Sequence, residues 1–188
     1  MSLIPGPLSR AHGGEALQRR PWFDHLPRRR TGMTFAIGID PGVSGGLAKI
    51  SAAGTVAIPM PATERDIWDW FGALEATVST FAVIEKVQGY IGPGSEFPGS
   101  AMFRFGKSAG FLLGCLVASG IPFEETPPQR WQKALGISAR KKTESKGQWK
   151  NRLKAKAQQL YPDQKVTLST ADALLIATYC KRWREGTL

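Results

Sequence analysis

A short aliphatic run that ends on a carboxylate and breaks at once into a glycine turn is the strongest constraint in this sequence. Thr34–Asp40 reads TFAIGID, and Pro41–Gly46 reads PGVSGG. The first predicts a buried strand and the second a tight turn. Asp40 then stands where the core stops and solvent begins. Leu47–Ser51 and Thr55–Pro59 predict two more strands, joined across Ala52–Gly54 into an antiparallel meander with the first. Thr63–Ser79 carries Ile67, Trp70, Phe71, Leu74 and Val78 at helical spacing. Phe81–Glu85 (FAVIE) is a fourth strand, and it too ends on an acid. A loop at Gln88–Gly99 leads to a long apolar helix at Ser100–Ser119, stopped by Gly120, and to a fifth strand at Ile121–Glu125. Helices at Pro128–Leu135, Gln148–Leu160 and Ala171–Trp183 follow. Helical crossovers between strands of one sheet imply parallel pairing. The expected class is α/β, with a mixed five-stranded sheet of three antiparallel strands plus two parallel, flanked by helices.

The chain has 188 residues, 42% of them hydrophobic, enough for one domain with a sizeable core. Residues 1–32 differ from the rest: four prolines, the pair Gly13-Gly14 and two arginine clusters, with no hydrophobic periodicity. They read as a disordered extension, with a basic arm on DNA as the alternative, and Met33 is a sensible true start. Residues 33–188 form the domain. No apolar run approaches the ~20 residues of a membrane span; the best, Phe111–Ala118, is far shorter. Both histidines, His12 and His25, fall in the extension, so the domain has none. Histidine general bases, Ser-His-Asp chemistry and histidine zinc sites drop out. Cys115 and Cys180 lie in apolar helical patterns and read as buried thiols, consistent with a reducing, cytoplasmic compartment. Any hydrolysis must rest on carboxylates and a metal.

If the first and fourth strands are neighbours, Asp40 and Glu85 face one spot outside the carboxyl ends of the sheet. Asp172 opens the last helix. Acids held close repel, and a divalent cation relieves the repulsion. An all-oxygen donor set suits Mg²⁺ or Mn²⁺. Each acid also has a plain structural reading: a turn residue before Pro41-Gly42 for Asp40, a solvated strand end for Glu85, and a capping box Ser169–Asp172 for the third.

The charge balance points to a polyanion. Lys and Arg number 25 against 15 Asp and Glu, a net +10. From Arg130 to Lys156 there are ten basic residues and one acid, Glu144, hence +9 in 27 residues. Arg130, Arg140, Lys141, Lys142, Lys146 and Lys150 are candidates for phosphate contact. Arg140–Lys142 and Lys146 read as a loop. Trp131 and Trp149 flank the segment as base-stacking rings or partly buried anchors. Lys107 and Lys133 fall near the expected rim of the acidic site. On the long helix Phe103, Phe111, Leu112, Cys115 and Leu116 form an apolar stripe, while Gly106, Gly110 and Gly114 make a face open to close helix contact.

Three segments together carry a resemblance: GIDPGVSGGLA (Gly38–Ala48), VIEKVQ (Val83–Gln88) and ADALLIATY (Ala171–Tyr179). In order, spacing and residue type they resemble the acidic motifs of RuvC-type Holliday junction resolvases, phage-type relatives most closely, over residues 33–183. Ser100–Gly136 resembles the central helix and fifth strand of the same family. The resemblance implies an RNase H-like fold. It also implies a homodimeric endonuclease of recombination and repair, in a bacterial or phage-infected cell, that cuts four-way DNA junctions with two Mg²⁺ or Mn²⁺ ions per active site. Asp40, Glu85 and Asp172 match metal-ligand acids. Where the family usually has a fourth acid, one turn before Asp172, this chain has Ser169; Ser169 itself, a water or Asp163 could serve. The aromatic that wedges into the junction in bacterial members is replaced by Gln88, which leaves Tyr90 or Phe97 for that part. A catalytically silent nucleic-acid-binding protein, or a nuclease for other branched or single-stranded DNA, are the rival functions.

Overall fold

A computed structural model describes residues 35–74, 79–87 and 99–188. The extension at 1–32 and the expectations placed on Val78, Gln88, Tyr90 and Phe97 lie outside the described residues. Five strands and five helices follow in the order β1 (Phe35–Asp40), β2 (Gly46–Ser51), β3 (Gly54–Pro59), α1 (Glu64–Gly72), β4 (Thr80–Glu85), α2 (Gly99–Ala118), β5 (Phe123–Thr126), α3 (Pro128–Ala134), α4 (Lys146–Leu160) and α5 (Leu168–Glu185). The sheet order is β3-β2-β1-β4-β5. β1 pairs antiparallel with β2 and parallel with β4; β3 pairs antiparallel with β2, and β5 parallel with β4. This is the mixed five-stranded sheet expected, with helices on both faces.

Strand alternation sorts the core into two layers. Ala36, Ala48, Phe81 and Val83 face one side, under α5, α4 and α3. Ile37, Ile39, Leu47, Ala82 and Ile84 face the other, under α1 and α2. Asp40 shares the parity of Ala36, and Glu85 that of Phe81 and Val83, so both acids leave the sheet on the α5 side. Gly38 lets α5 come down on β1 backbone to backbone: a Cβ there would lie 2.2 Å from the carbonyl oxygen of Ala173 and the nitrogen of Ala177.

The expected helix at Thr63–Ser79 is observed as α1, which ends at Gly72. Leu74 is nevertheless buried, so burial on that face continues past the helix. The last helix starts earlier than its apolar pattern, at Leu168. Its cap is Thr167 in a reciprocal box with Thr170. The capping-box reading of Ser169 and Asp172 is therefore corrected: Asp172 lies in the second turn, 5% exposed. The fifth strand begins at Phe123 rather than Ile121. α2, with 20 residues, is long and apolar enough by length and composition to cross a membrane, because glycines and alanines extend the short run seen in the sequence. Here its Ala109, Leu112, Cys115 and Leu116 are buried, the last three in the core with the sheet.

Candidate active site

The three acids meet at the carboxyl end of the sheet. Ile39 pairs with Ile84, so the next residue on each strand, Asp40 and Glu85, leaves side by side. The turn after Asp40 is closed by Gly45 N–H donating to the Gly42 carbonyl at 3.0 Å. Asp40 pairs with Gly46, where a Cβ would lie 2.5 Å from the Ser169 carbonyl oxygen. That contact presses the first turn of α5 against the start of β2, and Asp172 arrives one turn later. Ser169 backs onto Gly46 through its carbonyl, and its hydroxyl makes no hydrogen bond among the described residues.

Electrostatics confirm that the acids act on one another. Asp40 is 9% exposed. Burial first, then the charges of Asp172 and Glu85, push its carboxyl up to about 8, with Lys150 pulling the other way. Glu85 is pushed up to about 7, mainly by burial and then by Asp172, while the Trp131 hydrogen bond and Lys150 oppose the shift. Lys150 lies against Asp172, its ammonium on Oδ2. Burial alone would lower the lysine, but the attraction of Asp172, Asp40 and Glu85 outweighs it and raises its pKa.

The donor set fits a hard divalent cation. Three carboxylates share a single ammonium, and Asp172 Oδ1 is buried with no hydrogen-bond partner, a costly state that a cation would relieve. Among the described residues, no three acidic, histidine or cysteine side chains are already drawn in to the spacing of one ion's coordination shell. The Lys150 ammonium supplies part of the charge balance.

Two roles escaped the sequence reading. Trp131 neither stacks on bases nor anchors partly buried: it is fully buried, and its indole N–H donates to Glu85 Oε2 at 2.9 Å. Lys150 is drawn inward rather than spread over the basic surface. The signal for it was present: Lys150, Leu153 and Ala157 fall at i, i+3, i+7, and the last two are buried, so the lysine sits on the apolar stripe and needs a partner.

The remaining basic candidates divide. Arg130 pairs with Glu124 at 2.5 Å, its guanidinium 6.0 Å from the Trp183 ring centroid. Lys107 pairs with Glu64 at 2.9 Å, on the α1 side of the sheet. Lys133, Arg140, Lys141, Lys142 and Lys146 are exposed. The segment before α4 is tied down: Arg152 bonds Glu144 at 2.9 Å and the Ser138 hydroxyl at 2.8 Å, and lies 4.3 Å from the Trp149 ring centroid. Lys146 belongs to the first turn of α4 rather than to the loop, at an end with no acidic residue. Cations there oppose the helix dipole.

Among solved structures, the chain is similar to RuvC of Thermus thermophilus in complex with a Holliday junction substrate. The TM-score is 0.54 and the identity 16%, over 82% of this chain and 97% of that one. A second Thermus thermophilus RuvC structure gives a TM-score of 0.53 at 16% identity, covering 82% and 98%. The fold is therefore RuvC-like, in agreement with the resemblance carried by the acidic segments. No family model matches the chain, and no curated protein does.

Proposed function

We propose that this chain is a structure-selective DNA endonuclease that cleaves four-way junctions by metal-dependent phosphodiester hydrolysis, acting as a homodimer in recombination and repair in the cytoplasm of a bacterial or phage-infected cell. The observation that carries the reading is the convergence of Asp40, Glu85 and Asp172 at one end of a RuvC-like sheet, beside a basic face. The RuvC structure bound to a Holliday junction supports junction DNA as the substrate.

Asp40, Glu85 and Asp172 would hold two Mg²⁺ or Mn²⁺ ions, with Ser169 beside the position left without an acid. Such ions supply Lewis acidity at the scissile phosphate and acidify the attacking water. Cleavage in line leaves 5′-phosphate and 3′-hydroxyl ends. Burial and mutual repulsion raise the carboxyls of Asp40 and Glu85, so capture of the ions would be linked to pH. Lys150, once drawn off Asp172, is placed to meet charge developing on the phosphate. Lys133, Arg140, Lys141, Lys142 and Lys146 hold the backbone of the arms.

A second copy would pack on the outward face of α2. Phe103 and Val117 there are 74% and 69% exposed, and a Cβ at Gly106, Gly110 or Gly114 would meet nothing within 4 Å. That face is apolar and free for close contact with another helix. Two active sites then cut two strands of one junction.

Labelled four-way junction, Y-fork and linear duplex, each incubated with Mg²⁺ or EDTA, test the proposal. Paired nicks in the junction alone, dependent on Mg²⁺ and absent in Asp40→Asn, are expected. Lys150 on Asp172 and Ser169 at the fourth position favour the silent-binding alternative, whose signature is tight junction binding with no cut under any metal. Equal cutting of all three substrates removes the junction preference.

A further inference from the structure

Trp131 is the largest fully buried side chain among the described residues. It has one polar atom, and a buried indole N–H needs an acceptor. The acceptor is Glu85 Oε2, 46 positions away in the chain. The backbone arranges this meeting. The parallel register of β4 and β5 sets Glu85 beside Thr126, and Lys86 N–H donates to the Thr126 carbonyl at 2.9 Å. Pro127 then turns the chain, Pro128 opens α3, and Arg130 N–H closes on the Pro127 carbonyl at 3.0 Å. One residue later Trp131 lies within the α5-side core with Leu135, Ile137 and Leu153. A rigid ring, immobilised by packing, therefore holds one oxygen of a carboxylate that ends a strand. No described residue bonds the other oxygen, Oε1.

We propose that Trp131 is a positioning residue for metal capture: it clamps the Glu85 carboxylate through Oε2 so that Oε1 is the oxygen offered to the cation. The proposal rests on the reading of Glu85 as a ligand and adds the group that orients it. Outer-shell partners of ligating carboxylates commonly govern 10–100-fold in metal affinity.

The test measures Mn²⁺ binding without DNA, by the loss of the free-ion signal in electron paramagnetic resonance. Trp131→Phe keeps an aromatic ring in the core and deletes the donor, and should weaken Mn²⁺ binding about 10-fold or more. Leu135→Ala opens the same core one turn away without touching Glu85, and should lower the melting temperature yet bind Mn²⁺ like the wild type. A folded Trp131→Phe with wild-type affinity overturns the proposal, as does an equal loss of affinity in Leu135→Ala. If Trp131→Phe does not fold, the wild type still decides. In ¹⁵N-labelled protein the Trp131 indole resonance, one of six, should move in Glu85→Gln and on saturation with Mg²⁺. An indole resonance indifferent to both refutes the clamp. Wild-type protein that binds no Mn²⁺ refutes the metal reading of the site itself, a separate failure.

Discussion

Replacing Lys150 by methionine should tighten divalent-cation binding by the free protein while slowing cleavage. Methionine keeps an unbranched side chain and removes the charge. The ammonium lies on Asp172 and also pulls down the carboxyls of Asp40 and Glu85. An incoming cation meets that positive charge and must displace it. Two unit charges about 4 Å apart interact by about 4 kcal/mol at an effective dielectric of 20. The Lys150 side chain is 35% exposed, so water returns most of that energy when the ammonium leaves Asp172. A remainder of about 1–1.5 kcal/mol, roughly 10-fold in affinity, is expected. Calorimetric titration of Mn²⁺ into DNA-free protein measures it. In EDTA the variant should melt at lower temperature than the wild type, because the acids lose their counter-ion, and Mn²⁺ should restore the difference. Single-turnover cleavage at saturating Mn²⁺ should fall by about 100-fold if the released ammonium meets the phosphate. Weaker Mn²⁺ binding by Lys150→Met would refute the reasoning: the lysine would then be holding the acids together rather than competing for them.

Asp40→Asn, Glu85→Gln and Asp172→Asn should each abolish junction cleavage and leave junction binding within a few fold, as gel-shift titration beside a nicking assay would reveal. Ser169→Asp places an acid at i−3 from Asp172 and in the favourable first turn of α5; it should lower the Mg²⁺ concentration needed for cleavage, and complete loss of activity in a folded variant would exclude Ser169 from the ligand shell. Neutralising Arg140, Lys141, Lys142 and Lys146 together should reduce the slope of log K against log salt by about 3–4 on duplex DNA, at about 0.9 per phosphate contact, with junction preference unchanged; lost preference at an unchanged slope would make these residues readers of junction shape. Stability without metal should fall as pH rises from 5 to 9. Asp40 and Glu85, at about 8 and about 7 when folded against 3.8 and 4.5 ordinarily, hold protons that the unfolded chain releases. Their contribution is full below about pH 4 and is lost as pH climbs through the folded values. A melting temperature that rises over this range in EDTA, or a fall as large in Asp40→Asn as in the wild type, contradicts the assignment.

The strands, the order of elements and the meeting of Asp40 with Glu85 were legible because each depends on local pattern. An aliphatic run stopping at an acid marks a strand end, and one parallel pairing brings two such ends together. Asp172 was legible as a site residue through resemblance, but its place in the helix was not. Thr167, two residues before Ser169, is an equally good cap, and only the packing of α5 on Gly38 and Gly46 decides between them. The partners of the acids were hidden for another reason. Trp131–Glu85 and Lys150–Asp172 join residues 46 and 22 positions apart. No periodicity links such residues: the spacing of Lys150 with Leu153 and Ala157 turns the lysine inward but does not name its partner, and nothing local marks Trp131 for Glu85.

At Gly38 the helix that carries Asp172 rests on the strand that carries Asp40 with no side chain between them. The separation of the two acids is set there by the radii of main-chain atoms, which do not repack. The rest of the α5-side core is built of aliphatic and aromatic side chains. Stability and site geometry are therefore separable properties of this protein. Trimming Leu174, which is buried in that core, should lower stability more than it changes the distance between the acids. One methyl group at position 38 should lever the helix off the strand and shift the two acids relative to one another.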